Sequence, residues 1–230
     1  QIYIMDLEGK NARMVSTGKG RTTCAFIFPN GKRILYSSTH AVGPECPAPP
    51  DYSKGYVWKL HPEFDIFTAK PDGSNVKRLT NTPGYDAEAT ISSDGKRIVF
   101  SSLRSGDPEI YVMDANGKNV KQLTHEPGYD GGPFFSADGK KIVYRAARPE
   151  TEAEKKDYQE LIKTSQLRPT RLEIFVMDAD GSHQRQLTKA GAASFAPFFH
   201  PDGKRIIFAS NLENPRGRNF DLYLINADGT

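Results

Sequence analysis

Short apolar runs alternate with polar turn residues along almost the whole chain, and this pattern predicts β-strands rather than helices. Runs such as Ile98-Val99-Phe100 and Ile142-Val143-Tyr144 combine β-branched and aromatic residues, which are favoured in buried strands. Asp-Gly or Asn-Gly lies between many of these runs, and that dipeptide between two strands indicates a hairpin closed by a type I′ turn. The pattern therefore predicts an all-β fold built from hairpins.

The turn dipeptides form two series with a constant spacing. The first series occurs in FPNGKRILY, SSDGKRIVF, SADGKKIVY and HPDGKRIIF, and its glycines are Gly31, Gly95, Gly139 and Gly203. The second series precedes a stretch that commonly ends in Leu-Thr, and its glycines are Gly9, Gly73, Gly117, Gly181 and Gly229. Each repeat thus holds two hairpins, or four strands that we call a, b, c and d. Four short strands with a period of about 40–45 residues are typical of a β-propeller blade.

Variation in repeat length is confined to the segment between strands b and c. The distance from a first-series glycine to the next second-series glycine is 42, 22, 42 and 26 residues along the chain. The distance from a second-series glycine to the next first-series glycine is always 22 residues. In an antiparallel blade the a–b and c–d turns lie on one face of the disc. We therefore expect both insertions, residues 41–63 and 146–172, to emerge from the opposite face, where insertions commonly form binding sites.

The repeat resembles the WD40-like repeat of TolB-type propellers. The shared residues are P-D-G-K-[RK]-I after strand a, [ED]-I-[YF]-V-M-D-A-[DN]-G over strand c, and Q-L-T at the end of strand d. The resemblance implies a secreted, periplasmic or extracellular bacterial protein with six blades that binds protein partners, as part of an envelope complex. Related propellers also precede serine peptidase domains. Two departures from TolB are expected, the lack of its N-terminal α/β domain and the presence of the two insertions, so we do not expect partner identity to transfer.

The order of the strands indicates how much of the propeller is represented. The chain begins with strands c and d of one blade and ends after strand c of another. We therefore expect residues 1–230 to form one propeller domain that is incomplete at both ends, with four to five of six blades present.

Composition and motifs narrow the function to binding. The net charge is +3 and no basic run exceeds two residues, so binding to nucleic acid or to an anionic membrane is not expected. No apolar stretch approaches the roughly 18 residues that span a bilayer, so membrane insertion is not expected either. Nucleophile-elbow, zinc-protease and phosphate-loop motifs are missing, so we predict no catalytic residue, metal or cofactor. The expected function is non-catalytic binding or scaffolding on the face with the insertions. The alternative is the propeller domain of a peptidase or of a carbohydrate-active enzyme.

The first insertion is rich in proline and carries three candidate binding residues. Tyr52, Tyr56 and Trp58 form either an aromatic platform for a sugar or a partner side chain, or a small core that packs the loop onto the blade. Cys46 lies in the same insertion, and Cys24 lies at the start of a strand a on the same face. In an oxidising compartment we expect these two cysteines to form a disulfide; the alternative is two unpaired thiols.

The sequence of the second insertion predicts a helix, the only one expected in the chain. Thr151 and Glu154 form a capping box, and Pro169 provides a stop. An apolar stripe on the helix consists of Tyr158, Leu161 and Ile162. This stripe either packs on the propeller or binds a partner.

Acidic residues of two d–a links are the remaining candidates. The sequence PGYD occurs twice and places Asp86, Glu88 and Asp130 near the mouth of the central channel. These carboxylates either attract a cation or a basic segment of a partner, or bind turn amides. His40, His61 and His125 lie in loops of the same face, without the spacing of metal ligands.

Overall fold

Three four-stranded antiparallel sheets dominate the computed structural model, which describes residues 1–53 and 55–230. Blade II contains, in the order a to d, β3 (Thr22–Ile27), β4 (Ile34–Ser38), β6 (Asp65–Ala69) and β7 (Lys77–Arg78). Blade III contains β8 (Asp86–Ile91), β9 (Arg97–Ser102), β10 (Glu109–Asp114) and β11 (Lys121–Gln122). Blade IV contains β12 (Tyr129–Phe135), β13 (Lys141–Ala147), β15 (Glu173–Asp178) and β16 (Arg185–Gln186). Blade I contains β1 (Tyr3–Ile4) and β2 (Arg13–Met14), and blade V contains β17 (Ser194–Phe199), β18 (Arg205–Ser210) and β19 (Asp221–Asn226). The predicted all-β propeller architecture is confirmed.

The core consists of apolar layers between neighbouring blades. Ile98 and Phe100 pack toward blade II, whereas Val99, between them in sequence, packs toward blade IV. Alternate residues of a strand point to opposite faces of its sheet, and here each face is covered by another blade. This arrangement explains why runs such as Ile98-Val99-Phe100 are apolar at consecutive positions instead of alternating with polar residues.

The hairpins lie where the glycine series places them, but their turn type differs from the prediction. In the first turn the Gly31 amide donates to the Phe28 carbonyl at 2.8 Å, and the Phe28 amide donates to the Arg33 carbonyl at 2.8 Å. Gly31 has a φ of 68°, whereas Asn30 does not have a positive φ. A type I′ turn needs two such residues, so the turn is instead a type I turn followed by one left-handed glycine.

A bulge interrupts the first strand of each of blades II to V. The ladder between strands a and b shifts register at the same point of all four blades. The residues at the bulge have φ values between 48° and 58° and lie seven positions before the first-series glycine: Cys24, Glu88, Gly132 and Ala196. The bulge turns the strand locally and redirects the side chain that occupies this position.

The second insertion forms α1 (Glu152–Ile162), the one helix among the described residues. The predicted capping box is present: the Glu154 amide donates to the Thr151 hydroxyl, and the Thr151 amide donates to the Glu154 carboxylate. The helix ends well before Pro169, with Lys163 as its C-cap and Ser165 in the left-handed region. No helix in the described part of the chain has the length and apolar character needed to cross a membrane.

Candidate functional site

The two insertions pair with each other. Strand β5 (Trp58–Lys59) of the first insertion forms a short antiparallel ladder with β14 (Gln166–Leu167) of the second, in which Trp58 lies opposite Leu167. The Leu60 amide also donates to the Ser165 carbonyl at 2.8 Å. We call residues 57–60 with 164–167 the insertion bridge. Because its two halves come from blades II and IV, the bridge links two blades that flank blade III.

An apolar cluster fixes the insertion bridge to the blades beneath it. The buried members of this cluster are Leu60, Phe64, Tyr85, Ala87, Tyr129, Leu167 and Leu172. Trp58 is half-buried, and its ring lies 5.4 Å from the ring of Phe195 and 6.5 Å from that of Tyr129. The structure thus places Trp58 against the propeller.

Two tyrosines of the first insertion remain exposed. The side chains of Tyr52 and Tyr56 are 54% and 62% exposed, and their rings are nearly parallel with centroids 6.4 Å apart. The Trp58 indole N–H donates to the Tyr56 hydroxyl at 3.0 Å, which orients the Tyr56 ring. These two rings are available for contact with another molecule.

Glu88 lies below the insertion bridge and has only internal partners in the described chain. Its carboxylate forms a salt bridge with Arg145 and accepts hydrogen bonds from Ser101, Tyr129 and the Gly132 amide. Burial alone would raise the pKa of Glu88, but Arg145 and these donors hold it below its ordinary value. The bulge in β8 is what directs Glu88 into this network.

Asp86 and Asp130 each pair with an arginine of their own blade. Asp86 accepts two hydrogen bonds of 3.0 Å from Arg104, and Asp130 accepts one of 2.7 Å from Arg148. Both carboxylates are buried, and among the described residues these arginines are their ion-pair partners. The sequence contains a signal that could have found these pairs: each arginine follows a first-series glycine by nine residues, and each aspartate precedes it by nine.

Asp130 also forms a buried acid pair with Glu109 of blade III. Burial, with Asp130 nearby, raises the pKa of Glu109 to about 8, and burial raises that of Asp130 to about 6. Glu109 Oε2 and Asp130 Oδ2 are buried without a hydrogen-bond donor among the described residues. Two adjacent carboxyl groups in this setting favour a state in which they share one proton.

Tyr158 connects helix α1 to this acidic region. Its hydroxyl donates to Asp107 Oδ1, and the Gly128 amide donates to Asp107 Oδ2 at 2.9 Å. Leu161 is buried and Ile162 packs against the apolar cluster under the bridge. The stripe of the helix therefore faces the propeller, and a binding role for Tyr158 stays a prediction.

A cavity of about 440 Å³ opens between helix α1 and blade IV. The Arg148 guanidinium lies over the Phe175 ring at 5.4 Å, and both residues line the cavity. Arg171, which pairs with Glu154, and Lys189 also line it. The lining of the cavity is thus partly charged and partly aromatic, which suits a segment of a protein partner better than an apolar ligand.

Comparisons with known proteins agree with this architecture. The model of the Tricorn protease N-terminal β-propeller domain matches residues 60–172, just under half of the chain. The Tol-Pal system protein TolB of Bordetella pertussis is 51% identical over 39 residues, which are 17% of this chain and 9% of TolB. The crystal structure of TolB from Acinetobacter baumannii superposes with a TM-score of 0.69 at 25% identity, over 99% of this chain and 46% of that one. The chain therefore folds as a β-propeller that resembles TolB.

Peptidase propellers share the fold as well. The propeller domain of the Trilobed protease from Pyrococcus furiosus superposes with a TM-score of 0.57 at 15% identity, over 98% of this chain and 60% of that one. Such low identity shows a common fold and nothing about activity. This TolB-like propeller spans less than half of the solved A. baumannii TolB chain, so the activity and partners of the whole protein are matters for proposal.

The predicted disulfide of the TolB-like propeller is wrong, because Cys24 and Cys46 are both free thiols. Cys24 occupies the bulge of β3, and its thiol contacts the Thr23 hydroxyl at 3.3 Å in the neighbourhood of Glu88. Cys46 lies in an exposed part of the first insertion and donates to the Gly20 carbonyl at 3.4 Å. The bulge, which the sequence does not reveal, holds Cys24 near the buried Glu88 and Arg145, whereas Cys46 is exposed.

The two thiols are expected to react at very different rates. Burial, assisted by the Glu88 charge, raises the pKa of Cys24, whereas Cys46 is exposed. Because the thiolate is the reactive form, we expect a disulfide reagent to modify Cys46 at least about tenfold faster than Cys24 in the native protein. Stopped-flow thiol titration measures both phases, and Cys46→Ser should leave only the slow one. Equal rates for the two thiols would contradict this assignment.

The histidines of the insertion face have protein neighbours. His40 lies 4.2 Å from the Phe67 ring, and His61 contacts Arg21 at 3.4 Å. Burial, aided by nearby cations, lowers the pKa of both. Among the described residues no group of three or more His, Cys, Asp and Glu side chains is arranged to hold a metal ion.

Proposed function

We propose that this TolB-like propeller is a non-catalytic periplasmic scaffold that binds a protein partner on the face with the insertions. The observation that carries the proposal is the pairing of the two insertions, which turns two loops from separate blades into one continuous surface. Tyr52 and Tyr56 are exposed in the first insertion, and the second insertion lines the cavity beside α1. Aromatic residues of this kind commonly dominate the affinity of protein interfaces.

The similarity to TolB supports both the location and the type of partner. The B. pertussis relative is named as a protein of the Tol-Pal system. By that likeness we propose a protein of the corresponding envelope system as the partner, and the periplasm rather than the extracellular medium as the location. The roles of Trp58, Glu88, Asp86, Asp130 and Tyr158 in this proposal are to hold the surface in place through their contacts with the blades.

Substitution of the two exposed tyrosines tests the proposal. In a Tyr52→Ala/Tyr56→Ala variant, we expect the Kd for the cognate Tol-Pal system proteins to rise at least about thirtyfold, since an interface anchor contributes roughly 2 kcal/mol. A Lys118→Ala/Lys140→Ala variant, altered on the opposite turns, should bind like the wild type. Surface plasmon resonance measures both. Loss of binding in the turn variant alone would show that the faces are assigned incorrectly.

The competing function is the propeller of a peptidase or of a carbohydrate-active enzyme. The match of the Tricorn protease N-terminal β-propeller model to residues 60–172 is the observation that favours the peptidase. The two functions differ in the full-length gene: a hydrolase domain encoded beside the propeller would contradict the scaffold proposal.

A further inference from the structure

The face opposite the insertions is a continuous surface of turns. We call it the turn face; it comprises the a–b turns, residues 29–33, 93–97, 137–141 and 201–205, and the c–d turns, residues 6–13, 70–77, 114–121, 178–185 and 226–230. Neighbouring blades are joined across it, since the Ser93 hydroxyl donates to the Ala137 carbonyl at 2.6 Å and Lys121 Nζ to the Asp180 carbonyl at 3.0 Å. The turns therefore form one array rather than separate projections.

Positive charge is concentrated on the turn face. Its turns contain fifteen Lys and Arg against ten Asp and Glu, a net charge of +5, whereas the whole chain carries +3 and the remainder is thus net negative. The repeat causes this segregation. A lysine follows every first-series glycine, and a basic residue lies four positions after the second-series glycine of blades I to IV: Lys32, Lys96, Lys140 and Lys204, with Arg13, Lys77, Lys121 and Arg185. The sequence contains no long basic run that would indicate this charged face, because the fold brings together single basic residues from separate turns.

The acidic residues of the a–b turns are directed into the turns themselves. Asp94 accepts hydrogen bonds from the Ser92 hydroxyl and the Lys96 amide, and these donors hold the pKa of Asp94 below its ordinary value. Asp138 has the same environment in blade IV. The lysine ammonium groups differ. Within the described residues, none of the four lysines that follow the first-series glycines forms a side-chain hydrogen bond or ion pair, and all four are exposed.

Exposed apolar side chains lie among these charges. Leu7 is fully exposed at the c–d turn of blade I, and Val76 and Val120 are more than one-third exposed at the same turn of blades II and III. A face with free ammonium groups and single apolar side chains matches the interfacial layer of a membrane, where lysines meet phosphates and small apolar groups enter the headgroup boundary.

We propose that the turn face binds peripherally to a membrane surface rich in anionic phospholipids. Clusters of four to eight basic residues commonly bind anionic lipids, each contributing roughly 1 kcal/mol. The charges here are spread over a broad face of turns instead of lining a groove, which fits a planar array of phosphates better than a nucleic-acid helix. The protein would then lie with its turn face on the membrane and its insertion face toward the solvent and its partner.

Vesicle sedimentation tests this orientation. With vesicles of about three parts phosphatidylcholine to one part phosphatidylglycerol, we expect binding at low salt that disappears near 1 M NaCl, where the Debye length is about 3 Å. The quadruple variant Lys32→Gln/Lys96→Gln/Lys140→Gln/Lys204→Gln should lose roughly a hundredfold or more in partition coefficient. Circular dichroism should show an unchanged fold, because these side chains have no partners to lose.

A charge-matched control separates the turn face from net charge. Lysines of a d–a link and of the second insertion are replaced in it: Lys19→Gln, Lys155→Gln, Lys156→Gln and Lys163→Gln. This control should bind vesicles like the wild type. The proposal is overturned if the control loses binding as much as the turn variant, if pure phosphatidylcholine vesicles bind equally well, or if a short DNA duplex binds as tightly as the anionic vesicles.

Discussion

Replacing Arg145 with methionine is expected to lower the free energy of unfolding by about 3–5 kcal/mol, because it leaves the buried charge of Glu88 without its cation. The side chains of Arg145 and Glu88 are only 10% and 16% exposed. Methionine retains much of the volume of the arginine stem, so the expected loss is electrostatic rather than a cavity effect. The Arg145 guanidinium also lies 5.4 Å from the Trp58 ring, so the change should loosen the insertion bridge as well.

Urea denaturation followed by circular dichroism measures this loss. A Glu88→Gln/Arg145→Met double variant should recover part of it, since no unpaired charge remains buried. Arg218→Met provides a control on an exposed arginine and should change stability by less than about 0.5 kcal/mol. A single Arg145→Met variant within 1 kcal/mol of the wild type would mean that solvent reaches Glu88.

The blades could be predicted from the sequence because every repeat meets the same physical constraints. Val99 and its neighbours Ile98 and Phe100 are buried on opposite faces of one strand, so the whole run must be apolar, and the glycine of each turn supplies the left-handed residue that closes the hairpin. These constraints are local in the chain and recur with a fixed spacing. The fold class, the strand order and the capped helix follow from them.

The candidate site depends on contacts between repeats, which leave no local signal. The ladder between Trp58 and Leu167 is two residues long and joins insertions of different blades. Neither of the two paired segments contains an alternation of apolar and polar residues long enough to indicate a strand. The aromatic residues of the first insertion could be named from the sequence, but the exposure of Tyr52 and the half-burial of Trp58 could not.

The bulge in strand a is the second feature of the candidate site that could not be predicted from the sequence. Cys24 and Glu88 occupy equivalent positions in their blades, and both have a positive φ that residues other than glycine rarely adopt. A cysteine in a regular strand near the insertion is a reasonable disulfide partner for Cys46, whereas one in this bulge is not. The same distortion directs Glu88 toward Arg145 and makes it a binding partner of the next blade.

The acid pair of Glu109 and Asp130 predicts an unusual loss of stability as the pH rises. Burial raises the pKa of Glu109 from 4.5 to about 8, so the folded protein retains a proton that the unfolded chain releases. The stabilisation from this group is fully present below about pH 4.5 and is lost as the pH rises through about 8. Asp130, whose pKa is raised from 3.8 to about 6, acts in the same direction at lower pH. Because the pair joins blade III to blade IV, its deprotonation places two like charges across that boundary.

Glu109→Gln retains the size of the side chain and removes the titration. Its Tm should therefore fall less than that of the wild type between pH 5 and 9, and at pH 9 we expect it to exceed the wild-type Tm by about 5 °C or more. Differential scanning calorimetry across this range measures the difference. Glu152→Gln, at an exposed position of α1, should leave the pH profile unchanged. Parallel profiles for the wild type and Glu109→Gln would show that the two carboxyl groups do not share a proton, and that solvent or another group compensates the charge between these blades.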